Sequence, residues 1–130
     1  MNTAEDYKPV SSKYACLTGC TIINCNYRLC PETKFPGPAF DAYAIIKHVT
    51  EIADELGVDK DCIMIGGDSA GSNVVGAAVQ VLVERKEAEL IKLMILIHPM
   101  IGCLFVSDEI SPAQWTTPER HFWTSAFSFY

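Results

Sequence analysis

The chain has no apolar run approaching the about 20 residues that a bilayer-spanning helix needs. Its opening stretch, residues 1–12, is polar and holds no signal-peptide core. It lacks an Asn-x-Ser/Thr acceptor. Positive charge is in the minority: 10 Lys and Arg stand against 16 Asp and Glu, a formal charge of −6 with a pI near 4.9. That balance excludes nucleic acid and anionic membrane as electrostatic partners. Glycine signatures for phosphate groups are missing too. No glycine around position 66 has partners at offsets of two and five, as a dinucleotide turn requires, and Ser72 stands where a phosphate loop needs Lys. There is no internal repeat and no low-complexity tract.

The six cysteines lack the C-x2-C knuckle that zinc sites favour. Cys16, Cys20, Cys25 and Cys30 are spaced C-x3-C, C-x4-C and C-x4-C. Reduced thiols serving as small core hydrophobes are preferred over a metal cluster or disulfides, so no metal and no cofactor is expected. Reduced thiols favour a reducing compartment, cytoplasmic by default.

What is present is a globular composition. Of the 130 residues, 49% are hydrophobic and 20% charged, enough for one core and one domain. Residues 1–12 show no periodicity and are expected to be loose. Residues 13–19 suit a helix end with Gly19 as its cap. Residues 21–26, Thr-Ile-Ile-Asn-Cys-Asn, are a β-branched run of strand length. Ala42, Ile45, Ile46, Val49, Ile52, Ala53 and Leu56 make one stripe at three- and four-residue steps, which predicts a helix over 40–56 ended by Gly57. Lys47 and Glu51 cover the opposite side, and His48 on the flank reads as a solvated helix histidine. Residues 62–65 read as a strand and 73–84 as a helix apolar on several sides. Residues 93–97, Leu-Met-Ile-Leu-Ile, are an unbroken apolar run, the pattern of a strand covered on both faces. The core therefore reads βαβαβ with a parallel sheet, an α/β fold. Residues 101–116 are irregular. Thr117 and Pro118 can start a terminal helix, in a stretch rich in aromatics from Trp115 to Tyr130.

Chemistry concentrates between the strand at 62–65 and the helix at 73–84. Gly67-Asp68-Ser69-Ala70-Gly71 fits G-x-S-x-G, a sharp strand-to-helix turn that lifts a serine hydroxyl clear of the sheet. Flanking glycines are expected because a Cβ at either flank would collide with strand or helix, and because glycine tolerates strained dihedrals. Ser69 is then the candidate nucleophile, and the N–H of Ala70 points where an oxyanion would form. A glycine-rich turn of any α/β protein remains the alternative on the pentapeptide alone.

Two further stretches join this one. Tyr27-Arg28-Leu29-Cys30-Pro31-Glu32, with Phe35-Pro36 and Asp41-Ala42-Tyr43 after it, resembles the YRLAPE…FP…DAY run of the hormone-sensitive-lipase-type serine esterases. Residues 66–73, GGDSAGSN, resemble that family's GGDSAGGN elbow, and Leu96-Ile97-His98-Pro99 resembles its LIYP. Within that family it is similar to arylacetamide deacetylases and neutral cholesterol ester hydrolases. The resemblance implies a partial α/β-hydrolase fold and cleavage of small acyl esters or amides through a Ser–Asp–His triad. It assigns Ser69 the nucleophile's place and Ala70 N–H one oxyanion donor. It implies that Arg28 and Glu32 hold the long loop together and that Asp68 does no chemistry.

The chain also departs from the family pattern. It has no HGGG stretch before the YRLCPE run, and the family's triad Asp and His lie beyond residue 130. Cys30 replaces Ala, Ser72 replaces Gly and His98 replaces Tyr. His98, oriented by Asp108 or Glu109, is a substitute base of last resort, since a serine hydroxyl without a base is a poor nucleophile. The family strand that would lie between 21–26 and 62–65 is missing. Those two runs must pair directly or leave a slot with exposed edges. The expectation is a single partial domain over 1–130, a fragment of a larger esterase. It should be marginal or self-associating through its sheet edges and weak or inactive by itself. A non-catalytic remnant or binding module is the other reading. A parent carrying an amino-terminal anchor would place it at the endoplasmic reticulum instead.

Overall fold

The structure, a computed structural model, describes residues 3–100. Helix α1 spans Ala4–Thr18, α2 spans Gly37–Glu51, α3 is the single turn Ala53–Leu56, β1 is Met64–Asp68, α4 is Ala70–Glu84 and β2 is Leu93–Ile97. Short 3-10 turns, Lys60–Cys62 and Ala88–Leu90, lead into the two strands. β1 and β2 pair in parallel, in register from Met64 opposite Leu93 to Asp68 opposite Ile97. α4 is the crossover between them and packs on both strands and on α2.

The core forms where the α2 stripe meets α4. Ile46, Ala78 and Leu82 are buried together, with Ala42, Tyr43, Ile65, Leu90 and Ile91 packed around them. Ala39, Ala53, Val75 and Ala77 complete the buried set. A polar knot closes one end. Glu87 accepts hydrogen bonds from Tyr43 Oη (2.8 Å) and Lys47 Nζ (3.0 Å), while the Arg85 guanidinium lies 4.8 Å from the Tyr43 ring centre. Lys47 and then Tyr43 hold the Glu87 carboxyl below its usual value by hydrogen bonding to it.

Several expectations are corrected. Residues 3–12, expected to be loose, belong to α1 and its cap, and Met1 and Asn2 lie outside the described residues. Thr3 Oγ1 accepts from the Asp6 N–H and Asp6 Oδ2 accepts from the Thr3 N–H, a reciprocal capping box. Gly19 closes α1 with φ 72° and an N–H bonded to the Ala15 carbonyl. Pro9 lies within this helix. The helix expected over 40–56 starts earlier, with Pro38 in its first turn, and breaks at Ile52 before α3. Gly57 ends it in the left-handed region at φ 65°. The strand expected at 62–65 is displaced to 64–68, because Asp59 caps a 3-10 turn by accepting from the Asp61 N–H. α4 begins three residues before the apolar pattern does.

Residues 21–26 form no strand. A strand needs a ladder partner, and this run instead follows α1. Asn26 Oδ1 accepts from the Ala4 N–H, Asn24 Nδ2 donates to the Ala4 carbonyl and Ser11 Oγ donates to Asn24 Oδ1. The α/β plan and parallel sheet hold, with two strands rather than three among the described residues. Direct pairing of 21–26 with the elbow strand does not occur. β2 is not covered on both faces either: Leu93, Met94, Ile95 and Ile97 are 40–49% exposed. The described cysteines are free thiols, but none sits in the core. Cys16, Cys25 and Cys62 are exposed and Cys20 and Cys30 half-buried, because α1 buries no residue, 21–26 pairs with no strand and Cys62 falls in the 3-10 turn. Cys103 and the segment 101–130, with its expected terminal helix, lie outside the described residues.

Candidate active site

Ser69 is the single residue between β1 and α4. It is exposed, and its φ of 53° with ψ −116° is a strained conformation for a side chain with a Cβ. Such strain costs about 1–3 kcal/mol and persists only where the surroundings over-determine it. Here they do. The Ser69 N–H donates to the Ile97 carbonyl (2.8 Å) at the end of β2, and the Ser69 carbonyl accepts from the Ser72 N–H (3.0 Å). Serine is a favoured helix cap, yet this hydroxyl makes no cap hydrogen bond. Ala70, first in α4, has no intrahelical acceptor for its N–H, and that N–H donates to no other group among the described residues.

The strain lies on the serine and not, as expected, on the glycines, none of which has a positive φ at this turn. Gly67 is required for space: a Cβ there would lie 2.7 Å from Ser72 N and closer still to the Gly71 carbonyl. Gly71 is not, since a Cβ on it would meet nothing within 4 Å. The collision expected at both flanks is real at one only, because the first turn of α4 folds back over Gly67 and leaves Gly71 facing open space.

His98 follows Ile97 directly, so the fold brings it to the sheet end that carries Ser69. It is exposed, with φ 50°, and no hydrogen bond joins it to Ser69. Asp108 and Glu109 lie outside the described residues. Asp68 accepts a hydrogen bond from Tyr7 Oη on α1 (3.0 Å), a contact the sequence pattern offered no means to find. Arg28 does brace the long loop. Its Nε donates to both Asp41 carboxylate oxygens (3.0 and 2.9 Å), its Nη2 donates to Oδ1 and its backbone N–H donates to Oδ2. Those bonds, the side-chain ones foremost, hold the Asp41 carboxyl below its usual value. Glu32, given the same role, is exposed and makes no hydrogen bond or ion pair among the described residues. The missed residues are Ser72, whose hydroxyl bridges Gly67 and Ile97, and Asn73, which accepts from the Met100 N–H (3.1 Å). A polar pair in the first turn of an apolar helix was the available signal. No cluster of His, Cys, Asp or Glu able to hold a metal occurs among the described residues, and no described helix is long and apolar enough to cross a membrane.

Comparison with known proteins agrees with this geometry. A family model described as alpha/beta hydrolase fold matches residues 1–128. An arylesterase of Saccharolobus solfataricus is 48% identical over 58 residues, covering 45% of this chain and 19% of its own length. The arylacetamide deacetylase of Oryctolagus cuniculus is 31% identical over 101 residues, covering 75% of this chain and 25% of its own. Among solved structures, the thermostable carboxylesterase EstE1, cloned from a metagenomic library, superposes with a TM-score of 0.75 at 36% identity, over 82% of this chain and 36% of that one. The chain thus spans about a quarter or less of the length of these curated relatives. With a parallel β-turn-α-β unit and a match over nearly its whole length, the chain belongs to the α/β-hydrolase fold family, in its hormone-sensitive-lipase type.

Proposed function

We propose that this chain carries the nucleophile of a carboxylic ester or amide hydrolase acting on small acyl substrates. In this reading Ser69 Oγ attacks the substrate carbonyl carbon and gives up its proton to a base. The Ala70 N–H donates to the oxyanion of the tetrahedral intermediate, the alcohol or amine departs, and water then releases the acyl group from the serine. The observation that carries it is the strained, exposed Ser69 standing alone between β1 and α4, its hydroxyl committed to no hydrogen bond among the described residues. The esterase and deacetylase names of its relatives support the same substrate class.

The same observation favours a second reading. No histidine or carboxylate is hydrogen-bonded to Ser69 among the described residues, and an unactivated hydroxyl has almost no alkoxide near neutrality. In this second reading the chain as given is a weak catalyst or a non-catalytic member of its family. The exposed apolar residues of β2 support self-association of the isolated chain.

The test is hydrolysis of p-nitrophenyl acetate and butyrate, with fluorophosphonate labelling, in the wild type, Ser69→Ala and His98→Ala. Labelling lost in Ser69→Ala supports the nucleophile. Equal rates in wild type and Ser69→Ala support the non-catalytic reading. Labelling also lost in His98→Ala makes His98 the base.

A further inference from the structure

We propose that Ser72 is a positioning residue for Ser69, through a buried hydroxyl that ties the carboxyl ends of β1 and β2 together at the turn. The proposal rests on Ser69 as nucleophile for its kinetic consequence, but not for the clamp itself. Ser72 is the one buried polar residue of the described chain, 1% exposed. Its Oγ lies 2.6 Å from the Gly67 carbonyl and 2.8 Å from the Ile97 carbonyl, and accepts from the Ile97 N–H at 3.0 Å. The one hydroxyl proton is shared between the two carbonyls, while a lone pair satisfies Ile97 N–H.

This arrangement reaches Ser69 from both sides. The Ile97 carbonyl that Ser72 binds also accepts the Ser69 N–H, and the Ser72 N–H donates to the Ser69 carbonyl. Both peptide groups that flank the strained φ and ψ of Ser69 are thus fixed by partners belonging to, or shared with, Ser72. Asn73, next along α4, holds the Met100 backbone at 3.1 Å, so the segment carrying His98 is fastened at Ile97 and at Met100. The glycine of the resembling elbow motif would offer no hydroxyl at position 72. This chain adds a covalently placed acceptor and donor where backbone alone would have to serve.

The experiment uses the full 130-residue chain. Native-state amide exchange by NMR follows the Ile97 and Ser69 amides against those of Val75 and Ala78 within α4. In parallel, saturation kinetics of fluorophosphonate labelling separate the maximal rate from the half-saturating concentration. Ser72→Ala is expected to speed Ile97 and Ser69 exchange about tenfold relative to the α4 amides, as a buried hydrogen bond is lost. It is expected to lower the maximal labelling rate about tenfold with half-saturation unchanged, because orientation and not binding is lost. Ser72→Cys, similar in size but a weaker donor, falls between. Unchanged Ile97 exchange in Ser72→Ala overturns the clamp, and an unchanged maximal rate overturns the positioning role. If Ser72→Ala loses α4 protection altogether, the wild type decides: Ile97 protected like Ala78 supports the clamp, and Ile97 exchanging like an exposed amide overturns it. If not even the wild type labels, the nucleophile reading fails, and the exchange measurement still decides whether Ser72 holds the turn.

Discussion

Alanine at position 67 and alanine at position 71 should change stability in opposite directions, although the two glycines flank the same serine symmetrically in sequence. At Gly67 the added methyl would sit 2.7 Å from Ser72 N, where ordinary contact begins at 3.4 Å, and closer still to the Gly71 carbonyl. These are backbone atoms of the first turn of α4, so no side chain can swing aside, and helix or strand must shift by a sizeable fraction of an ångström. Forced overpacking of this kind costs about 1–3 kcal/mol. The same shift disturbs the 2.6 Å bond from Ser72 Oγ to the Gly67 carbonyl, worth about 1 kcal/mol more. A loss of about 2–4 kcal/mol is large against the about 5–15 kcal/mol that holds a typical domain folded. At Gly71 the methyl meets open space inside a helix, where alanine is favoured over glycine by up to about 1 kcal/mol. Urea titration followed by far-UV ellipticity, with a slope of about 1–3 kcal/mol per molar, should show the Gly67→Ala midpoint lowered by roughly 1 M or more. Gly71→Ala should match or exceed the wild type. Equal losses for the two variants, or a larger loss for Gly71→Ala, would refute the asymmetric packing of the turn.

Two further outcomes are expected. The Asp41 carboxyl is held below its usual value chiefly by the Arg28 side chain. Its contribution is therefore present above the ordinary carboxylate range and is lost as pH falls through that range to the lowered value. With Arg28 63% exposed, solvent screening keeps that contribution small. Asp41→Asn should flatten the acid side of a stability–pH profile, and identical acid slopes would show that the pair contributes nothing. The exposed apolar residues of β2 should make the isolated chain associate with rising concentration in sedimentation. Ile95→Lys, at a residue 46% exposed, should shift it toward monomer, whereas a wild-type monomer at all concentrations contradicts self-association.

Local signals were read correctly where one residue type meets one local demand. Gly19 and Gly57 cap helices in the left-handed region because only a residue without Cβ sits there cheaply. The run at 93–97 is a strand with those bounds, and the α2 stripe finds the core at Ile46. The capping box at Thr3 and Asp6 was equally local but lay in a polar stretch without apolar periodicity. Residues 21–26 failed for a different reason. β-branched residues favour strand backbone, but a strand also needs a neighbour, which no property of the run itself supplies.

The candidate site divides along the same line. Residue order alone determined that Ser69 stands at a tight strand-to-helix turn in an α/β chain, because spacing and periodicity act over a few residues. Tertiary structure decided which glycine the turn needs, that the strain falls on the serine, and that Ser72 and Ile97 hold it there. Those depend on how α4 meets the ends of two strands whose paired residues lie 29 positions apart, Asp68 opposite Ile97, and contacts across such a separation leave no local pattern to read.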